Sequence, residues 1–448
     1  MQRICGWTLA SFSAGGLLNA YNYAKEKDIP LNSVPVSIAL EPVQKLFFYF
    51  MSGKENPAGL TIKQAQDIVE KFNPLPFPCA EDLFGLQRNG HWQTIVGTGS
   101  LRKIVTGKEL SRSFDVISER IKTDDGDFFD VDYPSEHFGP SADTKRTPIV
   151  IIVHGLEATY RGAMVTKMAE EYMAQGFAPV LFSFRGCSGT PNKTPGGYHV
   201  GFTNDVDLLA KILQKRFPQR KIYLSGFSLG GNVSLKLLAE LGSTASTERN
   251  IFGAVTMSVP YDAVGSGASI DAGWNKYLYA KNFLGTLKRK AEEQHKLFPN
   301  AFDIEQVRSS QTIGEFDRAF IAPIYGYKDQ FDYYQKNGSK AWLPKIRVPA
   351  ISINAKDDPF IPEHTLPDPH KDVMGAPVRL IYHDHGGHCG FVASRRSRES
   401  GKGRELIATH STDAPVNDAN GNDDRWIAKE MARAMKHIHV ETEKMTSR

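Results

Sequence analysis

Short apolar runs alternate with longer amphipathic segments from residue 148 onward. The runs lie at Ile149 to Val153, Ala178 to Phe184, Ile222 to Ser225, Ala254 to Met257, Ala350 to Asn354 and Val378 to Tyr382. Helical periodicity is found at Met164 to Gln175, Asp205 to Gln214 and Trp426 to Ile438. A short continuous apolar run is typical of a strand that is buried on both faces, and the crossovers are long enough for βαβ units. The alternation predicts an α/β fold, with a mostly parallel central sheet flanked by helices.

The alternation is interrupted in three places. Asp125-Gly126 separates two alternating segments and predicts a β-hairpin, whereas residues 260–345 contain helix-like segments that predict a helical lid insertion over the edge of the sheet. Residues 394–424 are rich in small and polar residues and predict a mobile polar loop. The predicted organisation is an N-terminal extension at 1–113, a first part of the α/β domain at 114–259, the insertion at 260–345, and the remainder of the domain at 346–393 and 425–440.

The N-terminal extension combines an uncharged segment with docking helices. Residues 4–24 contain no charged residue, but several polar residues and three glycines weaken the segment as a membrane-spanning helix. A membrane anchor, a cleaved targeting segment and a segment packed on the surface all remain open. Residues 36–51 predict a docking helix or an interfacial segment, and Thr61 to Lys71 predicts an amphipathic docking helix. The proline-rich stretch Phe72 to Ala80 predicts a rigid connector.

Composition adds limits rather than a function. The chain has 448 residues, of which 41% are hydrophobic and 23% are charged, as in a globular protein with a sizeable core. A net charge of +4 is small for this length and indicates no nucleic-acid partner. The cysteines are scattered without metal-site spacing, and they predict free thiols in a reducing, intracellular compartment: Cys5, Cys79, Cys187 and Cys389.

One turn between a predicted strand and a predicted helix carries a serine. The segment GFSLG (residues 226–230) has the pattern G-x-S-x-G, and a helical pattern follows it as far as Gly242. A strand that turns abruptly into a helix forces its central residue into strained backbone angles, so the flanking positions need glycine. The pattern predicts that Ser228 is presented above the sheet as a nucleophile. An ordinary glycine-rich turn has the same local pattern, so the prediction depends on partners elsewhere in the chain.

Two later strand ends supply those partners. A serine hydroxyl becomes nucleophilic when a histidine accepts its proton and a carboxylate orients that histidine. Asp358 follows the predicted strand that begins at Ala350, and His388 follows the predicted strand that begins at Val378. Because the carboxyl ends of parallel strands meet at one edge of a sheet, Ser228, Asp358 and His388 are predicted to converge as a catalytic triad.

Other residues compete for these roles. Asp357 is the rival carboxylate, but Asp358 begins the loop sequence D-x-x-I-P, and Asp357 is expected to be a solvated neighbour or a turn residue. Cys187 has no better claim to a nucleophilic role than an ordinary loop thiol.

A cluster of histidines near the end of the last predicted strand suggests a metal site. His383, His385, His388 and Cys389 lie close together in the sequence. Alternation along an extended strand end would separate His383 and His385 from His388, and Gly386-Gly387 is typical of a flexible turn that presents one imidazole. The expectation is therefore that the protein binds no metal.

Catalysis by this triad also requires an oxyanion hole. Two backbone N–H groups must point to the oxygen on which negative charge develops. Leu229 follows the serine, and Leu156 lies in the loop after the first parallel strand, where Gly155 lets the chain turn. The N–H groups of Leu156 and Leu229 are the predicted donors. No dinucleotide or phosphate-binding glycine motif is complete, so no organic cofactor is expected.

Several motifs together resemble the YheT-like branch of the α/β-hydrolase superfamily. This branch includes embryogenesis-associated hydrolase-like proteins, mammalian abhydrolase phospholipases and fungal medium-chain ethanol acyltransferase/esterases. The resemblance extends from about Phe72 to Phe391 and is carried by NGHWQTI (89–95), DGD (125–127), HGL (154–156), RGC (185–187), the Ser228 turn, DDPF (357–360) and GGHCGF (386–391). It implies an α/β-hydrolase fold, a triad at Ser228, Asp358 and His388, and acyl ester or lipid substrates.

The expected function is therefore that of a serine hydrolase of the carboxylesterase or acylglycerol lipase type, acting on a small-molecule or lipid acyl ester through an acyl-enzyme. Acyl transfer to an alcohol uses the same residues and stays open. A non-catalytic lipid-binding protein of the same fold and a peptidase acting on small peptides are further alternatives. Membrane association through the N-terminal segment also stays open.

Overall fold

Eight strands form one sheet in the part of the chain that the computed structural model describes, residues 59–79, 88–97, 112–139, 146–393 and 424–446. The strands are β1 (Val116–Lys122), β2 (Phe128–Pro134), β3 (Ile149–Val153), β4 (Ala178–Ser183), β5 (Ile222–Phe227), β6 (Ile251–Met257), β7 (Ala350–Ala355) and β8 (Val378–His383). Their order in the sheet is β1-β2-β4-β3-β5-β6-β7-β8. All pairings among β3 to β8 are parallel, while β1 pairs antiparallel with β2 and β2 pairs antiparallel with β4. The predicted fold class is confirmed.

The chain direction across the sheet reverses at β3. β4 lies on one side of β3 and β5 lies on the other, so the chain crosses back over β3 before it continues toward β8. In open α/β sheets, ligands bind beyond the carboxyl ends of the strands at such a point. The loops after β3 and β5 are the two that carry Leu156 and Ser228.

Helices cover both faces of the sheet. In chain order they are α1 (Ile62–Lys71), α2 (Gly90–Gly97), α3 (Ser135–Phe138), α4 (Ala163–Ala174), α5 (Asn204–Arg216), α6 (Leu229–Leu241), α7 (Thr244–Arg249), α8 (Ala263–Ile270), α9 (Gly273–Asn275), α10 (Lys281–Leu297), α11 (Ile304–Ser309), α12 (Ile313–Ala319), α13 (Ile321–Tyr325), α14 (Gln330–Asn337) and α15 (Trp426–Thr446). A π-helical turn (Lys276–Ala280) joins α9 to α10, and 3₁₀ turns occupy Lys340–Lys345 and Glu363–Thr365. The last helix is longer than the apolar pattern that ends at Ile438 predicts.

The central strands are buried on both faces because each face supports its own core. Along β3, Ile149, Ile151 and Val153 belong to one core, and Val150 and Ile152 belong to the other. Side chains of α5, α6 and α7 pack on the first face, and side chains of α1, α4 and α15 pack on the second. This double burial explains why the strands appear in the sequence as continuous apolar runs rather than as alternating ones.

Polar side chains fix several helix starts. Thr61 caps α1 through a reciprocal capping box, in which its Oγ1 accepts the N–H of Gln64 (3.2 Å) and Gln64 Oε1 accepts the N–H of Thr61 (2.8 Å). At the starts of α8, α11 and α14, the side chains of Asp262, Asp303 and Asp329, respectively, accept backbone N–H groups of the first turn. The segment between β6 and β7, residues 260–345, thus has its own helical signals and is called the helical insertion below.

The predicted hairpin is formed by β1 and β2, and its turn is tied to the sheet by buried charges. Gly126 has a φ of 84°, which glycine adopts without strain. Arg185, which follows β4, donates to Asp125 (2.5 Å) in the turn and to Asp205 (2.7 Å) in α5. The buried guanidinium therefore links three elements on one side of the site.

Several predicted segments lie outside the described residues. They are residues 4–24 and 36–51 and nearly all of 394–424. The predictions for these segments, and the domain boundaries that depend on them, stay predictions. No helix within the described ranges has the length and apolar character needed to cross a bilayer.

Candidate active site

Ser228 lies in a strained turn between β5 and α6. Its φ of 54° and ψ of −129° fall in a region that costs a non-glycine residue on the order of 1–3 kcal/mol. A Cβ at Gly226 would lie 2.4 Å from the carbonyl oxygen of Gly230, and a Cβ at Gly230 would lie 2.2 Å from that of Val153. The N–H of Ser228 donates to Met257 O at the end of β6 (3.0 Å). The two glycines are therefore required by close packing, as the sequence pattern predicted.

The structure brings Ser228, His388 and Asp358 into one hydrogen-bonded series. His388 Nε2 lies 2.8 Å from Ser228 Oγ, and His388 Nδ1 lies 2.8 Å from Asp358 Oδ2. The other oxygen of Asp358 accepts the N–H groups of Phe360 (2.8 Å) and Ile361 (3.3 Å). Because an ionised carboxylate only accepts hydrogen bonds, Nδ1 carries the imidazole proton and Nε2 can take the proton of the serine.

The surroundings of His388 favour its charged form. Burial lowers the pKa of His388, but the Asp358 carboxylate opposes this effect, and on balance the pKa of His388 is raised above its ordinary value. The ring of Phe360 packs against the imidazole with centroids 4.4 Å apart. The pair is thus shielded from water, and an imidazolium that forms there is held by a buried carboxylate.

The loop after β3 passes directly beside the serine. A Cβ at Gly155 would lie 3.1 Å from Ser228 Cβ, so the loop backbone approaches the nucleophile closely. Among the described residues, neither the N–H of Leu156 nor that of Leu229 has a hydrogen-bond partner, and both residues line the cavity that contains Ser228. Leu229 is the first residue of α6, where helix N–H groups lack an internal acceptor. Two N–H groups are therefore available beside the serine, as an oxyanion hole needs.

His154, which precedes this loop, is a fixed neutral residue. Its Nδ1 lies 2.9 Å from Gly155 O, and its Nε2 accepts the N–H of Phe184 (3.2 Å). Burial lowers the pKa of His154 to about 4. Because both ring nitrogens are occupied, the imidazole acts as a support for the loop and not as a second base.

A cavity of about 920 Å³ opens from the serine into the helical insertion. Its wall on the sheet side includes Ser228 and His388. The opposite wall is largely aromatic and aliphatic and comes from the insertion: Ile270, Leu278, Phe283, Leu287, Ile313, Phe316, Phe320, Ile321, Tyr333 and Tyr334. Such a cavity can hold an elongated apolar group beside the nucleophile.

Comparison with known proteins identifies the family. A family model described as alpha/beta hydrolase fold matches residues 148–393. The chain belongs to this α/β-hydrolase family. It is 32% identical to YheT of Escherichia coli over 276 residues, which are 61% of this chain and 78% of YheT, and YheT is named as a candidate esterase.

Two further relatives are named as lipases. The chain is 28% identical over 308 residues to a monoacylglycerol lipase of Saccharomyces cerevisiae, covering 66% of this chain and 60% of that protein. It is 26% identical over 276 residues to the phospholipase ABHD3 of Mus musculus, covering 61% and 66% of the two chains. These similarities confirm the YheT-like branch of the α/β-hydrolase family that the sequence motifs predicted.

One helix from the N-terminal part of this α/β hydrolase holds the histidine loop. The N–H of His388 donates to Thr94 Oγ1 (2.8 Å), and Gln93 Oε1 accepts the N–H of Val392 (2.6 Å). A Cβ at Gly387 would lie 2.3 Å from Gly90 O, so α2 and the loop are in direct backbone contact. The local sequence pattern of α2 predicts no role in the site, and the presence of residues 89–95 among the family motifs was the one signal for it.

A buried polar cluster behind the predicted oxyanion loop was also missed. Glu157 has a φ of 52°, and its N–H donates to Tyr198 Oη (2.6 Å). Tyr198 Oη in turn donates to Glu157 Oε1 (3.1 Å), and Lys290 Nζ from α10 donates to the same oxygen (2.7 Å). The cluster joins the loop after β3 to the helical insertion. Its members are far apart in the chain, so no local pattern could reveal them.

The residues that competed for the site lie in other places. Asp357 accepts the N–H of Gly387 (2.9 Å) and faces His385 (3.3 Å), so it supports the histidine loop from outside the series. His383 packs edge-on against Trp426 with centroids 5.5 Å apart, away from Ser228. Cys187 is buried, and burial raises the pKa of its thiol to about 11. In the described ranges, no group of three His, Cys, Asp or Glu side chains is placed to hold a metal ion.

Proposed function

We propose that the protein is a serine hydrolase that cleaves acyl esters with an elongated apolar acyl group, through a covalent acyl-enzyme. The observation that carries this proposal is the Asp358–His388–Ser228 series at the wall of an apolar cavity of about 920 Å³. The names of YheT, a candidate esterase, and of the yeast and mouse relatives, a monoacylglycerol lipase and a phospholipase, support ester bonds as the target.

In the first half-reaction, Ser228 Oγ attacks the acyl carbon while its proton passes to His388 Nε2. The carbonyl oxygen becomes an oxyanion, and the N–H groups of Leu156 and Leu229 stabilise it. When the oxyanion collapses, the bond to the alcohol oxygen breaks, and His388 gives the proton to that oxygen. Asp358 keeps its charge throughout and stabilises the imidazolium between the two transfers.

In the second half-reaction, a water molecule takes the place of the alcohol. His388 Nε2 accepts a proton from the water as its oxygen attacks the acyl carbon, and the same N–H groups hold the second oxyanion. Collapse breaks the bond to Ser228 Oγ, which recovers its proton from His388. The products are a carboxylic acid and the alcohol, and the site returns to its starting state.

The cavity wall supports a lipid-like acyl group rather than a peptide. The insertion supplies mostly aromatic and aliphatic side chains around the space next to Ser228. When a medium-length or longer acyl chain binds, the apolar surfaces of the chain and of the cavity wall are both removed from water. This contributes roughly 0.8 kcal/mol of binding free energy for each buried CH₂ group. A peptide would gain less from this wall, because its backbone amides would lose hydration against aromatic and aliphatic side chains.

The test is covalent labelling with a fluorophosphonate probe. The wild-type protein is expected to react, and Ser228→Ala is expected to lose the label, because the probe forms a bond only with an activated serine. Ser266→Ala is the matched control: Ser266 lines the same cavity, and among the described residues its Oγ has no hydrogen-bond partner. That variant should label like the wild type.

Absence of labelling in folded wild-type protein, or equal labelling of Ser228→Ala, would overturn the proposal. A panel of p-nitrophenyl esters of increasing chain length then measures the acyl preference, with rates expected to rise from acetyl toward medium chains. Product analysis with and without ethanol separates release of the acyl group to water from its transfer to an alcohol.

A further inference from the structure

A cluster of large apolar side chains lies exposed at the start of the helical insertion. Trp274 is 77% exposed, Tyr277 is 69% exposed and Leu278 is 43% exposed. They are spaced three and four residues apart on the continuous helical segment of α9, the π-helical turn and α10, so they share one face. Single exposed apolar residues are common on protein surfaces, but three large ones on one helical face indicate a binding surface. This surface is called the 274–278 face below.

The 274–278 face adjoins the cavity that contains Ser228. Leu278 is both exposed and part of the cavity wall, and the next residue, Tyr279, also lines the cavity. The ring of Tyr279 meets Phe360 edge-on at 4.7 Å, and Phe360 packs against His388 at 4.4 Å. Only two ring contacts therefore separate this face from the imidazole. A π-helical turn carries Tyr277 and Leu278, and such turns occur often at functional sites.

The helical segment that carries the face is basic. Between residues 272 and 290 the chain has five basic residues and no acidic one: Lys276, Lys281, Lys288, Arg289 and Lys290. Lys288 and Lys290 are engaged within the protein, whereas Lys281 and Arg289 are exposed on the same helix. Trp and Tyr rings favour the boundary between lipid and water, and Lys and Arg are attracted to anionic head groups. This combination favours an anionic lipid surface as the occupant.

We propose that the 274–278 face docks onto an anionic lipid surface and opens the cavity directly to it. Trp274, Tyr277 and Leu278 enter the boundary between head groups and acyl chains, while Lys281 and Arg289 contact the head groups. An acyl chain can then pass along Leu278 and Tyr279 to Ser228 without crossing water. The docking is independent of catalysis, but the role of the face in substrate entry rests on the proposed ester hydrolase function.

The first test asks whether Trp274 enters lipid. Full-length protein is mixed with vesicles of phosphatidylcholine and phosphatidylglycerol that carry bromine atoms on their acyl chains, which quench tryptophans at that depth. The chain has five tryptophans. Quenching is expected in the wild type and should fall by about half or more in Trp274→Tyr, while Trp342→Tyr, on a partly buried residue, should keep it. Quenching should weaken when phosphatidylglycerol is omitted or salt is raised.

Equal quenching in the wild type and Trp274→Tyr would overturn the proposal, even if another part of the chain binds the membrane. Quenching that is unchanged without phosphatidylglycerol would overturn the assignment to an anionic surface. The same experiment with Ser228→Ala should give the wild-type result, because docking needs no chemistry. If the wild type hydrolyses no ester while Trp274 is still quenched, the proposed function fails and the docking stands.

The second test asks whether docking serves the substrate. The double variant Trp274→Ser/Tyr277→Ser should lower turnover of an ester embedded in anionic vesicles by about tenfold or more, while turnover of a dissolved short-chain ester stays within about twofold. Phe331→Ser is the matched control, because Phe331 is 53% exposed elsewhere on the insertion. Equal losses on both substrates, or equal losses in the control, would show that the face does not deliver substrate.

Discussion

Strained residues collect around the proposed active site. Glu157, Ser228, Ser258 and Cys389 all have φ values between 49° and 59°, although none is glycine. Each is held by specific bonds: the Tyr198 hydroxyl accepts the N–H of Glu157, and Ser258 Oγ accepts the N–H of Cys389 (2.9 Å). Strain of this kind persists only where the surrounding structure imposes it. It places backbone groups in positions that an unstrained chain would not adopt. Of these four residues, only Ser228 stood in a local pattern that predicted the strain.

Asp358→Asn tests how the carboxylate controls the histidine. The proposed base works only when His388 is neutral, so activity is lost as the pH falls through its pKa. The Asp358 carboxylate raises that pKa, and its removal should lower it. We expect the acidic limb of the pH profile of kcat/KM to move to lower pH in Asp358→Asn, while the plateau falls by roughly 10³-fold or more because the imidazolium loses its partner.

Asp357→Asn is the control for this prediction. Asp357 supports the loop through Gly387 and does not touch His388, so its variant should lose less than about tenfold and keep the position of the acidic limb. A larger loss in Asp357→Asn than in Asp358→Asn would show that the orienting carboxylate had been assigned to the wrong residue.

Whole elements were predictable where their signals were local. The turn at Ser228 combines a buried strand, two required glycines and a helix within about twenty residues, and the catalytic candidates follow the ends of later strands. Helix α2 could not be assigned to the site in this way, because Thr94 and His388 are 294 positions apart. Its role depends on contacts between distant segments, and neither periodicity nor spacing records such contacts. The polar cluster of Glu157, Tyr198 and Lys290 escaped prediction for the same reason.

Thr94→Val tests whether α2 positions the histidine. Valine has nearly the same shape as threonine but cannot accept the N–H of His388, so the loop should hold the imidazole less well. We expect kcat to fall by about tenfold while KM changes by less than about twofold, because valine keeps the shape of the side chain that Thr94 presents to the cavity and removes only the support of His388.

Thr94→Ser separates this role from general packing. Serine restores the hydroxyl but removes a methyl group, so it should recover most of the wild-type kcat even if it lowers the melting temperature slightly. If Thr94→Ser and Thr94→Val lose activity equally, the hydroxyl does not position His388, and α2 contributes only packing.

At the scale of the whole molecule, the sheet and the insertion differ in how far they could be predicted. The sheet follows from apolar runs, because strands buried on both faces need such runs. The insertion was predicted as a helical lid over the edge of the sheet, but its individual helices were not, since they are short, begin at individual caps and pack through aromatic contacts between distant residues, such as Phe302 against Phe320 (4.7 Å). The cavity is formed between these two parts. The exposed side chains of Trp274 and Tyr277, next to the cavity residues Leu278 and Tyr279, therefore became visible only in the assembled structure.

The carboxyl of Asp317, in α12, makes the stability of the whole molecule depend on pH. Burial raises its pKa from an ordinary value of 3.8 to about 7; Tyr334, whose hydroxyl donates to it (2.6 Å), opposes the rise, and the Asp271 carboxylate adds to it. Between these values the folded state keeps a proton that the unfolded state has released. The stabilising contribution of Asp317 is therefore complete below its ordinary pKa and is lost as the pH rises through about 7.

Asp317→Asn should remove this dependence, because asparagine stays neutral and can still accept the hydroxyl of Tyr334. We expect the melting temperature of the variant, measured by calorimetry, to be close to that of the wild type near pH 4 and to exceed it by several degrees near pH 8. Asp332→Asn, at a partly buried carboxylate of the insertion that pairs with the exposed Lys336 at 2.8 Å, should show no such growing difference. If the melting temperatures of Asp317→Asn and the wild type differ by the same amount across this pH range, the Asp317 carboxyl is not held neutral in the fold. The wall of the cavity that it lines would then carry its charge throughout the range.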